Sequence, residues 1–166
     1  MGTAENLQAA FAGESQANRK YLAFARKADE EGFPQIAKLF RAAAQAETVH
    51  ALSHFNVMGG VKKTTDNLRV AIEGEGYEFK EMYPKFLAEA EKEKKEDAVD
   101  TFRRALAVEM IHHGLYTGAL NTLNTGKDLP TKAIYVCGVC GNTVLGEAPG
   151  ICPVCGAPKT RFSEVQ

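Results

Sequence analysis

Two short stretches of this chain carry the same pair of side chains at the same spacing. They are Glu47-Thr48-Val49-His50 and Glu109-Met110-Ile111-His112. A separation of three places both members of each pair on one helix face. Glu14 and Glu75 add two more carboxylates, and Glu78 follows Glu75 by the same step of three. Carboxylates mixed with imidazoles form an oxygen-rich donor set that suits iron or manganese. A lone Glu-x-x-His on a charged helix usually means nothing. Here each pair interrupts an apolar stripe, where unpaired ionised groups would cost several kcal/mol each. One Glu from each of two helices, with Glu-x-x-His from two others, is the known side-chain set of a carboxylate-bridged di-metal site in a four-helix bundle. Charge balance separates Glu78 from the rest. Glu14, Glu47, Glu75 and Glu109 neutralise two divalent irons, with His50 and His112 neutral. Glu78 is one carboxylate more, which a ferric pair would accept.

The second group is sulfur. Cys137, Cys140, Cys152 and Cys155 form two Cys-x-x-Cys pairs near the end of the chain, each followed by glycine, Gly141 and Gly156. In a reducing compartment such pairs are metal ligands more often than disulfides. Their spacing fits a structural zinc ribbon as well as a tetracysteinate iron centre. The neighbouring di-metal set favours iron, because a one-electron centre beside a di-iron site makes a redox relay. About thirty residues cannot build a sizeable core, so the metal should hold this module together.

Four helices must position the first group. Periodicity places them at about Thr3 to Glu31, Pro34 to Met58, Thr64 or Thr65 (as N-cap) to Lys95, and from the polar run 91–97 onward. Their stripes are Leu7, Phe11, Glu14, Asn18, Tyr21, Ala25, Ala28; then Ile36, Phe40, Ala43, Glu47, His50, His54, Val57; then the segment with Glu75 and Glu78; then Phe102, Leu106, Glu109, His112, Tyr116, Ala119, Leu123. Gly32 suits a helix stop and Pro34 a first helical turn. Pro84 should kink the third helix near Met82. Gly74 and Gly76 weaken that helix beside its ligands. Residues 124–133 have linker composition, and the short runs IYV, TVL and RFSEV read as strands. The expected architecture is mainly α, a ferritin-like four-helix bundle over 1–126 followed by a small β-rich metal module over 133–166. A net charge of −1 over 166 residues gives no support for nucleic-acid or membrane-surface binding. No apolar run approaches the ~20 residues of a membrane span. The opening MGTAENLQAAFAGES lacks the basic end and apolar stretch of a signal peptide, so a cytoplasmic location is expected.

FAGES (11–15), AETVH (46–50), GEGYEFKEMYP (74–84) and VEMIH (108–112), together with YVCGVCG and CPVCGAPKTRF, resemble the motifs of rubrerythrin along essentially the whole chain. The resemblance implies a peroxidase that reduces hydrogen peroxide to water in oxidative-stress defence. Electrons would come from a pyridine-nucleotide-dependent reductase or a rubredoxin, enter at the cysteine-bound iron and pass to the di-iron centre. It also implies that Glu47 and Glu109 bridge the irons. Glu14 would bind one iron, and Glu75 with His112 the other. His50 and Glu78 would exchange on the first iron with redox state, and Tyr21 and Tyr83 would hydrogen-bond near the ligands. Glu78, released from iron, would carry a proton. His54 and His113 are left as a packed and an exposed histidine.

One geometric problem follows. Residues 60–65 reach roughly 20 Å, whereas a helix of about 25 residues is roughly 37 Å long. The second and third helices therefore cannot be joined by a full-length crossover. Either the bundle runs up-down-up-down, or two chains exchange helix pairs in a swapped homodimer, which is the favoured reading. Two other functions share parts of the pattern. A ferroxidase or iron-handling protein would use the bundle but not the cysteines. A zinc-ribbon binding module on a helical scaffold would leave the carboxylates without a role.

Overall fold

The computed structural model of the protein describes residues 2–130 and 132–166; Thr131, inside the expected linker, lies outside them. The chain divides into two compact units, one ending at Lys62 and the other beginning at Lys63.

The first unit is a helical hairpin of α1 (Thr3–Glu30) and α2 (Pro34–Val57). Gly32, at φ 82°, makes the left-handed turn between them, a conformation that favours glycine. Pro34 opens α2, where its missing N–H costs nothing. The contact is built from small residues. Ala25 and Ala28 of α1 and Ala37 of α2 form one buried cluster, with Phe40 packed against it. Ala44 and Ala51 continue the buried row. Asn18 is buried too; its Nδ2 donates to Ala44 O at 2.6 Å and to Thr48 Oγ1 at 2.7 Å, tying α1 to α2. The row that α2 buries within its unit is thus Ala37, Ala44, Ala51, offset from the stripe read in the sequence. Ile36, Val57 and His50 of that stripe are exposed. Alanines allow close backbone approach, so they form the buried row, while Glu47 of the stripe is partly covered and clusters with Glu14 of α1.

After α2 the chain turns at Gly59, φ 67°. A Cβ on Gly60 would collide with the Phe55 ring, which itself stacks on Phe11 at 5.0 Å.

The second unit holds α3 (Thr64–Tyr77), a π-helical turn (Glu78–Met82), α4 (Tyr83–Lys92) and α5 (Glu96–Leu123). Lys63, not Thr64 or Thr65, is the N-cap of α3; both threonines lie inside the helix. Pro84 has no N–H to continue the ladder, and the N–H of Tyr83 donates to Glu78 O, five residues back. The expected kink is therefore a wide turn that includes Glu78. Such π-turns occur mostly inside α-helices at functional sites. α3 and α4 both pack on α5, with Phe86 and Tyr83 against Phe102. Lys94, at φ 58°, makes the turn into α5.

Three antiparallel strands complete this unit: β1 (Ile134–Cys137), β2 (Thr143–Leu145) and β3 (Phe162–Glu164), in the order β2-β1-β3. Val136 pairs with Thr143, and Cys137 with Phe162. The chain is mainly helical, and none of its described helices is long and apolar enough to cross a membrane.

Candidate metal centres

The structure gathers three clusters of ligand-type side chains. Glu14, Glu47 and His50 present ligand atoms within 4.8 Å of one another in the first unit, and Glu75, Glu109 and His112 do the same in the second. The four cysteines form the third cluster, also in the second unit.

In the first triad, α1 supplies Glu14 and α2 supplies the pair. His50 Nδ1 lies 3.0 Å from Glu47 Oε2, as the spacing of three dictates. In the second, α3 supplies Glu75 and α5 the pair. His112 Nδ1 lies 2.9 Å from Glu109 Oε2 and 3.8 Å from Glu75 Oε1. Glu75 Oε2 is buried and has no hydrogen-bond partner. Burial, a proton shared with Glu109 and the charges of Glu109 and Glu78 push the Glu75 carboxyl up to about 7. Burial and the Glu109 charge raise Glu78 as well, against the pull of His112. Carboxylates crowded in this way, with one oxygen orphaned, are short of positive charge. A metal cation supplies it, so this donor set fits the ions expected from the sequence.

Tyr83 faces the same carboxylates. Burial, then the charges of Glu109, Glu78 and Glu75, raise its phenol above the ordinary value. Tyr21 packs between Phe24 and Phe40 in the first unit. His54 is half-buried and outside both triads. His113 is not exposed as expected: its ring is half-buried, edge-on to Phe79 at 5.2 Å. Gly76 is buried beside it; a Cβ there would meet His113 Cδ2 at 3.4 Å, an ordinary contact that does not require a glycine. Gly74 has open space around it, and the structure gives no reason for it.

In the cysteine cluster, Cys137 Sγ lies 3.7 Å from Cys155 Sγ, and Cys140 Sγ 3.6 Å from Cys152 Sγ. A disulfide needs about 2.05 Å. A tetrahedron with metal–sulfur bonds of about 2.3 Å has edges of about 3.8 Å, so the sulfurs already sit at metal-binding separation. Gly141 and Gly156 adopt φ 86° and 73°, closing the two knuckles. Burial opposes a charge on Cys152, yet the N–H groups of Cys155 and Val154 and the neighbouring thiols draw it down to about 6. Burial and the same sulfurs push Cys140 up to about 12. Held as four thiolates at this distance, the sulfurs would need a cation among them.

Sequence reasoning missed one contact. Thr143, on β2, has its Oγ1 2.9 Å from His112 Nε2. A threonine in a strand gives no sequence signal of that kind.

Two protein-family models match the chain: Rubrerythrin over residues 5–120, and Rubrerythrin, rubredoxin-like domain, over 135–163. Among similar proteins, Rubrerythrin-2 of Clostridium acetobutylicum is 38% identical over 96% of this chain and 95% of its own length. Nigerythrin of Nitratidesulfovibrio vulgaris is 37% identical over 97% and 85%. A solved structure of nigerythrin in a mixed-valent state, 34% identical, superposes with a TM-score of 0.57 over 99% of this chain and 87% of that one.

Proposed function

This chain belongs to the rubrerythrin family, and from that premise we infer that it is a non-haem di-iron peroxidase that reduces hydrogen peroxide to water, fed by electrons through a tetracysteinate iron centre. The observation that carries this reading is the repeat of one triad, Glu14/Glu47/His50 and Glu75/Glu109/His112, in a chain that also gathers four cysteine sulfurs within 4.8 Å of one another.

The reaction takes one peroxide, two electrons and two protons to two waters. The iron pair, when bound, supplies the electrons that break the O–O bond. The protein's part is geometry and protons. Glu47 and Glu109, the carboxylates of the two Glu-x-x-His pairs, would be shared by the two irons. Glu14 and His50 would serve one position, and Glu75 and His112 the other. Glu78 would be the exchangeable carboxylate, competing with His50 for the first position and carrying a proton when free. Its place in the π-turn supports this role, because a wide turn can re-form in a neighbouring register without breaking the helix. The Tyr83 phenol, turned towards Glu75, Glu78 and Glu109, is the nearby hydrogen-bonding group, with Tyr21 in the corresponding role on the other half.

We further propose that the bundle is completed by a second copy. The described turn between α2 and α3 is short, residues 58–63. Apolar residues beside the ligands stay exposed in the single chain: Val49 and Leu52 around His50, Tyr77 before Glu78, and Met110 after Glu109. A swapped homodimer, in which α1 and α2 of one chain join α3 to α5 of the other, would cover them and unite the triads. The electron donor in this reading is a pyridine-nucleotide-dependent reductase or a rubredoxin.

A visible spectrum of the purified protein, before and after dithionite, tests the function. Iron in the cysteine cage gives a red protein that bleaches on reduction and recolours with peroxide. A colourless protein with zinc in the cage and no peroxide consumption would reject the reading.

A further inference from the structure

We propose that Thr143 is a positioning residue that fixes the orientation of His112 and joins the cysteine cluster to the second triad within one chain. The inference rests on the di-iron reading above.

The proton positions follow from the donor inventory. The Thr143 hydroxyl has one hydrogen and can also accept. Its Oγ1 is 3.1 Å from Gly141 O and 2.9 Å from His112 Nε2. A carbonyl oxygen only accepts, so the hydroxyl hydrogen goes to Gly141 O. Oγ1 then accepts from His112, and Nε2 must carry a proton. The ring is thereby turned so that Nδ1, 2.9 Å from Glu109 Oε2, faces the carboxylates. A metal held there would bind Nδ1, and the opposite nitrogen would donate to Thr143, as a ligating histidine normally does to its outer partner.

The same two hydrogen bonds reach the sulfur cage. Gly141 follows Cys140 directly. The link runs Cys140, the Gly141 carbonyl, the Thr143 hydroxyl, His112 Nε2, and has only two non-covalent steps. The surroundings hold it in place. Gly141 lies against the buried Val108, whose Cγ1 would be 3.7 Å from a Cβ there, one residue before Glu109. A hollow of ≈ 260 Å³ borders the pair, lined by Leu68, Leu115, Tyr116 and Leu145 among others, so its walls are largely apolar. Thr143 also pairs with Val136 in the sheet, which fixes its backbone independently of the side chain.

Thr143→Val keeps the shape and the strand preference and removes the hydroxyl; Thr143→Ser restores it. In the full-length protein loaded with zinc at the carboxylate site, the His112 Nε2 proton should be visible by nitrogen NMR and slow to exchange. Thr143→Val should lose that protection and Thr143→Ser keep it. In the iron-loaded protein, reduced and mixed with peroxide, recolouring of the cysteine cage should slow at least about 10-fold in Thr143→Val and recover in Thr143→Ser. An unprotected Nε2 proton in the wild type, or equal recolouring in wild type and Thr143→Val, overturns the proposal. A wild type that leaves peroxide untouched instead rejects the peroxidase reading, and the zinc-loaded spectrum still decides the hydrogen bond.

Discussion

The two triads use one motif in two settings. Glu47 and Glu109 are equally covered, with 18% of each side chain exposed. Their histidines differ. His112 is 25% exposed; its Nε2 is bound to Thr143 and its Nδ1 faces Glu109. His50 is 55% exposed, with Nδ1 against Glu47. The second triad also contains the orphaned Glu75 oxygen, for which the first has no counterpart among the described residues, and burial with the neighbouring carboxylates raises the Glu75 carboxyl to about 7. The motif is the same, and the surroundings differ. In the proposed site an anchored His112 would be the permanent ligand, and the more exposed His50, whose Nδ1 faces Glu47, the one that gives way to Glu78.

His112→Ala and His50→Ala break this comparison most sharply. Loss of an outer partner of a ligating histidine already costs about 10- to 100-fold, so removal of His112 should lower peroxide turnover by at least about 100-fold and deplete carboxylate-site iron. His50→Ala should keep more of its iron and more of its turnover, measured by iron content and steady-state rate. Equal damage from both would mean that the contrast in burial has no functional weight.

Glu78→Ala should come next. Iron stays, because the remaining carboxylates balance a divalent pair. Turnover should fall by about 100-fold, the ordinary scale of general acid–base catalysis. Turnover equal to wild type would remove Glu78 from the mechanism.

A smaller effect is expected from pH. The folded-state value of Glu75, about 7, lies above its unfolded value of 4.5. Between these values the folded metal-free protein binds the extra proton. Its stability from this group is full below pH 4.5 and is lost as pH rises through about 7, an effect on the order of 1–3 kcal/mol. Denaturant unfolding of the metal-free protein should show that decline, and Glu75→Gln should flatten it. Metal binding at the second triad should strengthen over the same rise, because the ligand must lose its proton.

Smallest of all is Gly76→Ala. The helix gains up to about 1 kcal/mol from losing a glycine, and the new methyl touches His113 at the limit of ordinary contact. A shift in unfolding free energy below about 1 kcal/mol is expected; a larger loss would show that His113 is held rigidly.

The side chains that gather in the two triads were legible in the sequence because chemistry and period coincide. Glu47 and His50, or Glu109 and His112, share a face at helical spacing, and acids on an apolar stripe are costly unless a cation sits among them. The helix ends at Gly32 and Pro34 and the three strand runs were legible for the same local reasons. What was not legible depends on contacts distant in sequence or on competition between faces. The row Ala37, Ala44, Ala51 beat the larger stripe because α1 needed small residues to approach. The π-turn arises from a missing N–H at Pro84 acting back to Glu78. His113 is covered by Phe79, and Thr143 reaches His112 across thirty-one residues.

The most direct test of the central claim is an anaerobic titration of the fully reduced, iron-loaded protein with hydrogen peroxide, followed by the colour of the cysteine cage. The account predicts uptake of about three electrons' worth of peroxide per chain, two from the carboxylate pair and one from the cage, with the red colour returning in full. Peroxide consumption without recolouring, or recolouring with only one electron per chain, would contradict it.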